Sequence, residues 1–247
     1  MTSLFSNKSK GLLLLVLSLY SLVPFLIFGS HFDLGSAVLP FYGAVMTFVT
    51  YSAGNQGFLI TLAVLSLLVL TLKFSKAKLV SLCLQLGVLL VLSFAAKTFL
   101  KSSTESPRPY TEYLVTQEVV DMPELFYELP LEEKNVAIES VEDKVSEWRT
   151  SHWLGETDYS FPSGHMIFVG VCLAFFGGLF LEAKRFYLVG GMLAWAGGVA
   201  YSRVWLGMHR PEDLAASIAF AGLIYFLVPL VPTQKIEPIL PKFLRTA

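Results

Sequence analysis

Hydrophobic and polar positions alternate along this chain in blocks. Stretches free of Asp, Glu, Lys and Arg run over Gly11–Ser30, Gly57–Leu72, Leu79–Ala96, Met166–Leu181, Phe186–Ser202 and Leu214–Thr233. Each is near the ~17 to 25 residues that a helix needs to cross a bilayer. They predict six transmembrane helices, the shorter ones extended by polar flanking residues whose side chains reach the interface. Leu34–Gln56 is also nearly uncharged, but Gly35, Pro40, Gly43 and Gly54 interrupt it, so an interfacial or re-entrant segment is expected there rather than a seventh span.

Between the third and fourth runs lies the one long polar stretch, Ser102–Pro162, with 14 of the 19 acidic residues against four basic ones. It predicts an extramembrane helical cap whose acidity is a solvated surface. Within it, Glu132–Trp148 carries Val136, Val141, Val145 and Trp148 as an imperfect apolar stripe, which reads as helix. The expected architecture is therefore all-α and integral to a membrane: a single domain over 1–247, six spans, and 102–162 as the cap.

Loop charges set the orientation, because Lys and Arg in short loops collect on the cytoplasmic side. With six spans the inner pieces hold Lys8 and Lys10, then Lys73, Lys76 and Lys78, then Lys184 and Arg185, then Lys235, Lys242 and Arg245. The outer connection His31–Gln56 holds neither Lys nor Arg. Both termini are thus expected in the cytoplasm and the cap outside, with the first run as an uncleaved signal anchor.

Composition agrees and excludes alternatives. With 54% hydrophobic residues, 15% charged residues and a mean hydropathy of +0.62, the chain is too apolar for an ordinary soluble domain. A net charge of -1 gives no basic field for nucleic acid. Cys83 and Cys172 both sit in apolar runs, so neither a disulfide framework nor a thiolate metal site is expected.

Three polar constellations open or close spans on the expected outer face. The first runs from Lys101 to Pro109, where prolines on both sides of Arg108 force a non-helical backbone able to turn the guanidinium over the membrane mouth. The second is Phe161–Pro162–Ser163–Gly164–His165: Ser163 can cap the following helix, whose first amides, near Gly164, favour an anion. The third runs from Ser202 to Asp213. There His209 and Asp213 stand four apart, so the carboxylate can orient the imidazole and leave its other nitrogen free to attack. Each pattern alone has a structural explanation. Together they place Lys101, Arg108 and Arg203, a helix N-terminus, His165, His209 and Asp213 on one face, a cradle suited to a tetrahedral dianion and to phosphoryl transfer. Lys97 and Arg210 read as interface anchors. Trp148, Trp153 and Trp205 read as interfacial aromatics, and His31 and His152 have no evident partner.

These residues resemble the type 2 phosphatidic acid phosphatase superfamily, whose signature is Lys-x6-Arg-Pro, then Pro-Ser-Gly-His, then Ser-Arg-x5-His-x3-Asp. Lys101 to Pro109, Pro162 to His165 and Ser202 to Asp213 match it in order and spacing. The six-span layout, Ser151–His152–Trp153 and Glu156–Thr157 are similar to the bacterial phosphatidylglycerophosphatase B branch. The resemblance implies a bacterial inner-membrane lipid phosphatase with its site facing the periplasm. His209 would be the nucleophile, Asp213 its orienting group and His165 the acid and then the base, while Lys101, Arg108, Arg203, Ser163 and Gly164 hold the phosphoryl oxygens. The implied substrates are phosphatidylglycerophosphate, phosphatidate-like lipids or undecaprenyl diphosphate. No cofactor or metal is implied, although the His/His/Asp set has donors for zinc. A phosphotransferase sharing the phosphohistidine is the alternative, and less so a transporter, which would place its ionisable groups near the bilayer midplane.

Overall fold

The computed structural model describes the backbone of residues 2–28 and 32–241 and the side chains of 8–20, 22 and 32–241. His31 lies outside the described residues, as do Gly29 and Ser30 at the end of the first run and Lys242 and Arg245 of the last inner piece. Among those described the chain is helical throughout, without strands. Long helices are α1 (Thr2–Phe28), α2 (Pro40–Tyr51), α3 (Phe58–Leu70) and α4 (Lys76–Thr104). Four short ones follow: α5 (Pro109–Thr116), α6 (Pro123–Glu128), α7 (Leu131–Glu139) and α8 (Glu147–Gly155). Then come α9 (Gly164–Cys172), a five-residue π turn (Leu173–Gly177) and α10 (Gly178–Glu182) as one rod, followed by α11 (Phe186–Trp205), α12 (Pro211–Leu227) and α13 (Thr233–Ile236).

Among the described residues two helices, the one starting at Lys76 and the rod Gly164–Glu182, are long and apolar enough to cross a membrane. The rod is apolar all round because it is buried all round: every residue from Met166 to Phe180 is buried, against α1, α4, α11 and α12. Glycines set these approaches. A Cβ on Gly170 would lie 2.7 Å from Ala221 Cβ, and one on Gly11 would lie 2.3 Å from the carbonyl oxygen of Ala174 in the π turn. Outward faces of α3 and α4 stay apolar and exposed, with Leu59, Ile60, Val64 and Leu67 on one and Leu84, Val88, Val91 and Phe94 on the other.

A second apolar core lies under the polar stretch, where Tyr110, Leu114, Phe126, Ile138, Val141 and Trp153 from the short helices and their connections meet Trp205, Leu206 and Met208 at the end of α11. The expected helix Glu132–Trp148 is instead two helices, α7 and α8, separated by a turn over 140–146, because the break lets Val141 and Val145 both reach this core. Trp153 and Trp205 are likewise core residues and not interfacial ones. Trp153 stacks on Tyr110 with centroids 5.0 Å apart and donates its indole N–H to the Leu206 carbonyl at 2.7 Å, and Trp205 lies under the Arg149 guanidinium. The nearly uncharged Leu34–Gln56 segment contains α2, which at 12 residues reaches only about 18 Å.

Candidate active site

Arg108 follows Pro107, precedes Pro109 and has the extended backbone that proline imposes, φ -77° and ψ 149°, just before α5. Tyr110 N–H then donates to the Gly207 carbonyl at 2.9 Å, clipping this loop to the turn after α11. That turn needs glycine, since Gly207 sits at φ +70°. It folds back so that the amides of Met208 and His209 both donate to the carbonyl of Arg203, at 3.0 and 3.3 Å. Arg203 and His209 are thereby held in one rigid turn. Pro211 opens α12, and Asp213 in its first turn accepts from Arg210 N–H at 3.0 Å, so the helix start itself fixes the carboxylate. Ser163 caps α9 by accepting from Met166 N–H at 3.4 Å, and its own amide donates to Ser217 Oγ of α12 at 2.9 Å.

These segments close around a cavity of about 280 Å³ lined by Lys97, Lys101, His152, Glu156, Asp158, Gly164, His165 and His209, among others. Arg108 and Arg203 stand behind its wall with side chains fully buried. Two carboxylates bind the cations together. Glu156 accepts from Arg203 at 2.7 Å and pairs with Arg108 at 3.2 Å, while Asp158 accepts from Lys101 at 2.7 Å and from Arg108 at 2.5 Å. Burial alone would push the Glu156 carboxyl up, but Arg203 and Arg108 outweigh it and hold it well below the usual carboxylate range. The same contest leaves Asp158 at about 2, with Arg108 and Lys101 outweighing burial. Arg203 Nη1 donates to Thr50 Oγ1 at 3.0 Å, yet its Nε is buried with no hydrogen-bond partner. An unmatched N–H on a buried cation costs free energy until an anion accepts it.

His209 is 1% exposed. Burial, then the charges of Arg108 and Arg203, hold its pKa well below the ordinary histidine value, so the ring is uncharged at neutral pH. Its Nδ1 stands 3.6 Å from Asp213 Oδ2, beyond a direct hydrogen bond, and its Nε2 is 3.4 Å from Arg108 Nη1. His165 opens α9 with Nε2 4.0 Å from Glu156 Oε1, and Gly54 makes room for it, since a Cβ there would lie 2.7 Å from that nitrogen.

Of the eight residues singled out in the sequence, Lys101, Gly164, His165 and His209 line this cavity, while Arg108 and Asp213 stand behind His209, Arg203 behind Glu156, and Ser163 just before Gly164. Others join them. Lys97, expected as an interface anchor, lies over Gly164 and lines the cavity, because its position one turn before Lys101 puts both on one face of α4. Arg210 instead ties α12 to the first loop, donating to the Pro107 carbonyl at 2.7 Å and to Glu112 at 2.6 Å. His152 has Thr47 Oγ1 at 3.2 Å from Nε2. Glu156 and Asp158 belonged to the acidity expected as solvated surface, and Ser160 carried no signal beyond its nearness to Phe161–His165.

A family model described as PAP2 superfamily matches residues 82–237. Phosphatidylglycerophosphatase B of Haemophilus influenzae is 32% identical over 230 residues, covering 86% of this chain and 93% of that protein. Phosphatidylglycerophosphatase B of Escherichia coli is 27% identical over 158 residues, and the matched part spans 63% of this chain but only 62% of that relative's length. An undecaprenyl-diphosphatase of Sulfolobus acidocaldarius is 35% identical over 88 residues, 34% of this chain and 41% of that protein.

Proposed function

The chain belongs to the PAP2 superfamily, and from that premise we propose that it is a membrane lipid phosphate phosphatase working through a phosphohistidine on His209. The observation that carries this reading is the buried His209 imidazole on the wall of a cavity lined by Lys97 and Lys101, with the buried Arg108 guanidinium 3.4 Å from its Nε2. Nε2 attacks phosphorus and the bond from phosphorus to the lipid oxygen breaks, with His165 donating the proton that oxygen takes up. Water then attacks the phosphohistidine, His165 accepts its proton, and inorganic phosphate leaves with His209 restored. Lys101, Arg108 and Arg203, with Ser163 and the amide of Gly164, hold the phosphoryl oxygens, and the unpartnered Nε of Arg203 is matched when an oxygen arrives.

The substrate class is lipid mono- and diphosphates such as phosphatidylglycerophosphate, phosphatidate-like lipids and undecaprenyl diphosphate, in keeping with the names of the relatives. An apolar cavity of about 530 Å³ between α2, α3 and α11, sharing Tyr51 and Gln56 with the polar one, offers space for a hydrocarbon chain. The setting is a bacterial inner membrane crossed six times, with termini in the cytoplasm and residues 102–162 as a periplasmic cap over the site. Purified protein given lipid mono- and diphosphates in excess EDTA should release inorganic phosphate to water as sole acceptor, with acid-labile label on His209. Activity lost to chelator and restored by added metal, or full turnover by a folded His209→Ala variant, would overturn the mechanism.

A further inference from the structure

The orienting pair of the site is not a pair. His209 Nδ1 and Asp213 Oδ2 are 3.6 Å apart, and the Ser160 hydroxyl stands between them, 3.1 Å from the ring nitrogen and 2.6 Å from the carboxylate. Ser160 is fully buried, so no solvent competes for it. We infer that Ser160 is the positioning residue of the nucleophile, a hydroxyl relay through which Asp213 sets the tautomer of His209.

The direction of each hydrogen bond follows from its ends. A guanidinium can only donate, so where Arg108 Nη1 meets His209 Nε2 at 3.4 Å the imidazole presents its lone pair there. The ring is uncharged, so its one proton is on Nδ1. At 3.1 Å that N–H donates to Ser160 Oγ, the nearest side-chain acceptor to it. With its oxygen taken by the ring N–H, the hydroxyl has one proton to give, and Ser160 donates it to Asp213 Oδ2 at 2.6 Å. The Met208 carbonyl, at 3.3 Å from Ser160 Oγ, is the weaker competitor for that proton. Asp213 is itself pinned by the Arg210 amide at 3.0 Å, so the relay ends on a fixed anchor. As positive charge develops on the ring during attack, the Nδ1–H bond shortens and Asp213 supports it through Ser160. The contacts and the uncharged ring together therefore place the lone pair on Nε2, beside the cations that would hold phosphate.

Two measurements test this, and the first does not depend on the nucleophile reading on which the relay's catalytic consequence rests. Nitrogen NMR of histidine-labelled protein should show His209 as the Nδ1–H tautomer, and Ser160→Ala should mix the tautomers while Ser160→Thr, which keeps the hydroxyl, restores the wild-type signal. A wild-type tautomer in Ser160→Ala overturns the relay whether or not His209 is phosphorylated. In the second, single-turnover labelling from a short-chain phosphatidate should be slowed by Ser160→Ala by roughly ten- to a hundredfold, with half-saturation unchanged. Asp213→Asn should then cost little more in the Ser160→Ala background, because the relay is already cut. Multiplying effects of the two substitutions would show that Asp213 acts on the ring directly and would overturn the relay. Absence of label on wild-type His209 would overturn the nucleophile assignment instead, leaving the tautomer measurement to decide Ser160.

Discussion

His165 and His209 are the same residue type in different surroundings, and the proposed mechanism gives them different work. His209 has both nitrogens committed, one through Ser160 towards Asp213 and one towards Arg108. His165 stands in the first turn of α9 with its Nε2 4.0 Å from Glu156 Oε1, on the wall of the cavity. A general acid matters in proportion to how badly the leaving oxygen needs a proton. Lipid monophosphates expel an alkoxide, whereas lipid diphosphates expel a phosphate ester, a much weaker base. His165→Ala should accordingly slow phosphohistidine formation far more for a monophosphate than for a diphosphate of similar tail, read by rapid quench of the first turnover. Equal slowing would show that His165 binds phosphate and does not deliver a proton.

At the scale of elements, the site depends on how closely the rod Gly164–Glu182 can be approached, because its N-terminus carries Gly164 and His165 into the cavity. Gly11 of α1 is the tightest of these approaches, since a Cβ placed there would meet both the Ala174 carbonyl at 2.3 Å and the Tyr225 ring at 2.9 Å. Backbone cannot rotate away as a side chain can, so Gly11→Ala must part α1 from the π turn. Its cost should be about 1 to 3 kcal/mol, seen as a lower midpoint in thermal unfolding in detergent. Gly190→Ala in α11 meets nothing within 4 Å and should be neutral or gain up to about 1 kcal/mol from helix propensity. Matching losses at the two positions would mean that close packing at Gly11 is not what holds α1.

For the molecule as a whole, the question is which side of the bilayer the cavity faces. α3 and α4 carry exposed apolar faces and α5 to α8 build a second core, and the six-span arrangement expected from the sequence puts the loop lysines across the bilayer from residues 102–162. Ser140 is exposed in the turn after α7. In a background lacking Cys83 and Cys172, Ser140→Cys should react with an impermeant thiol reagent added to intact cells. Reaction only after the membrane is opened would place the site on the cytoplasmic side.

What the sequence determined by itself was whatever follows from local rules. Runs of apolar residues marked the long helices, prolines around Arg108 dictated its extended backbone, Ser163 announced a helix start, and the spacing of His209 and Asp213 put them at one helix entrance. Each rests on residues within a turn or two of one another, so hydrophobic period and capping chemistry suffice to read it. Tertiary structure decided the rest. Ser160 is 49 and 53 positions from the groups it joins, and Glu156 and Asp158 lie 48 and 50 from the Arg108 they hold. Nothing in the neighbourhood of an acidic residue in an acidic stretch tells a solvated charge from one that grips a buried guanidinium. Trp153 and Trp205 turned inward for the same reason. Burial and pairing belong to the partner brought in by the fold, and only the packed chain specifies the partner.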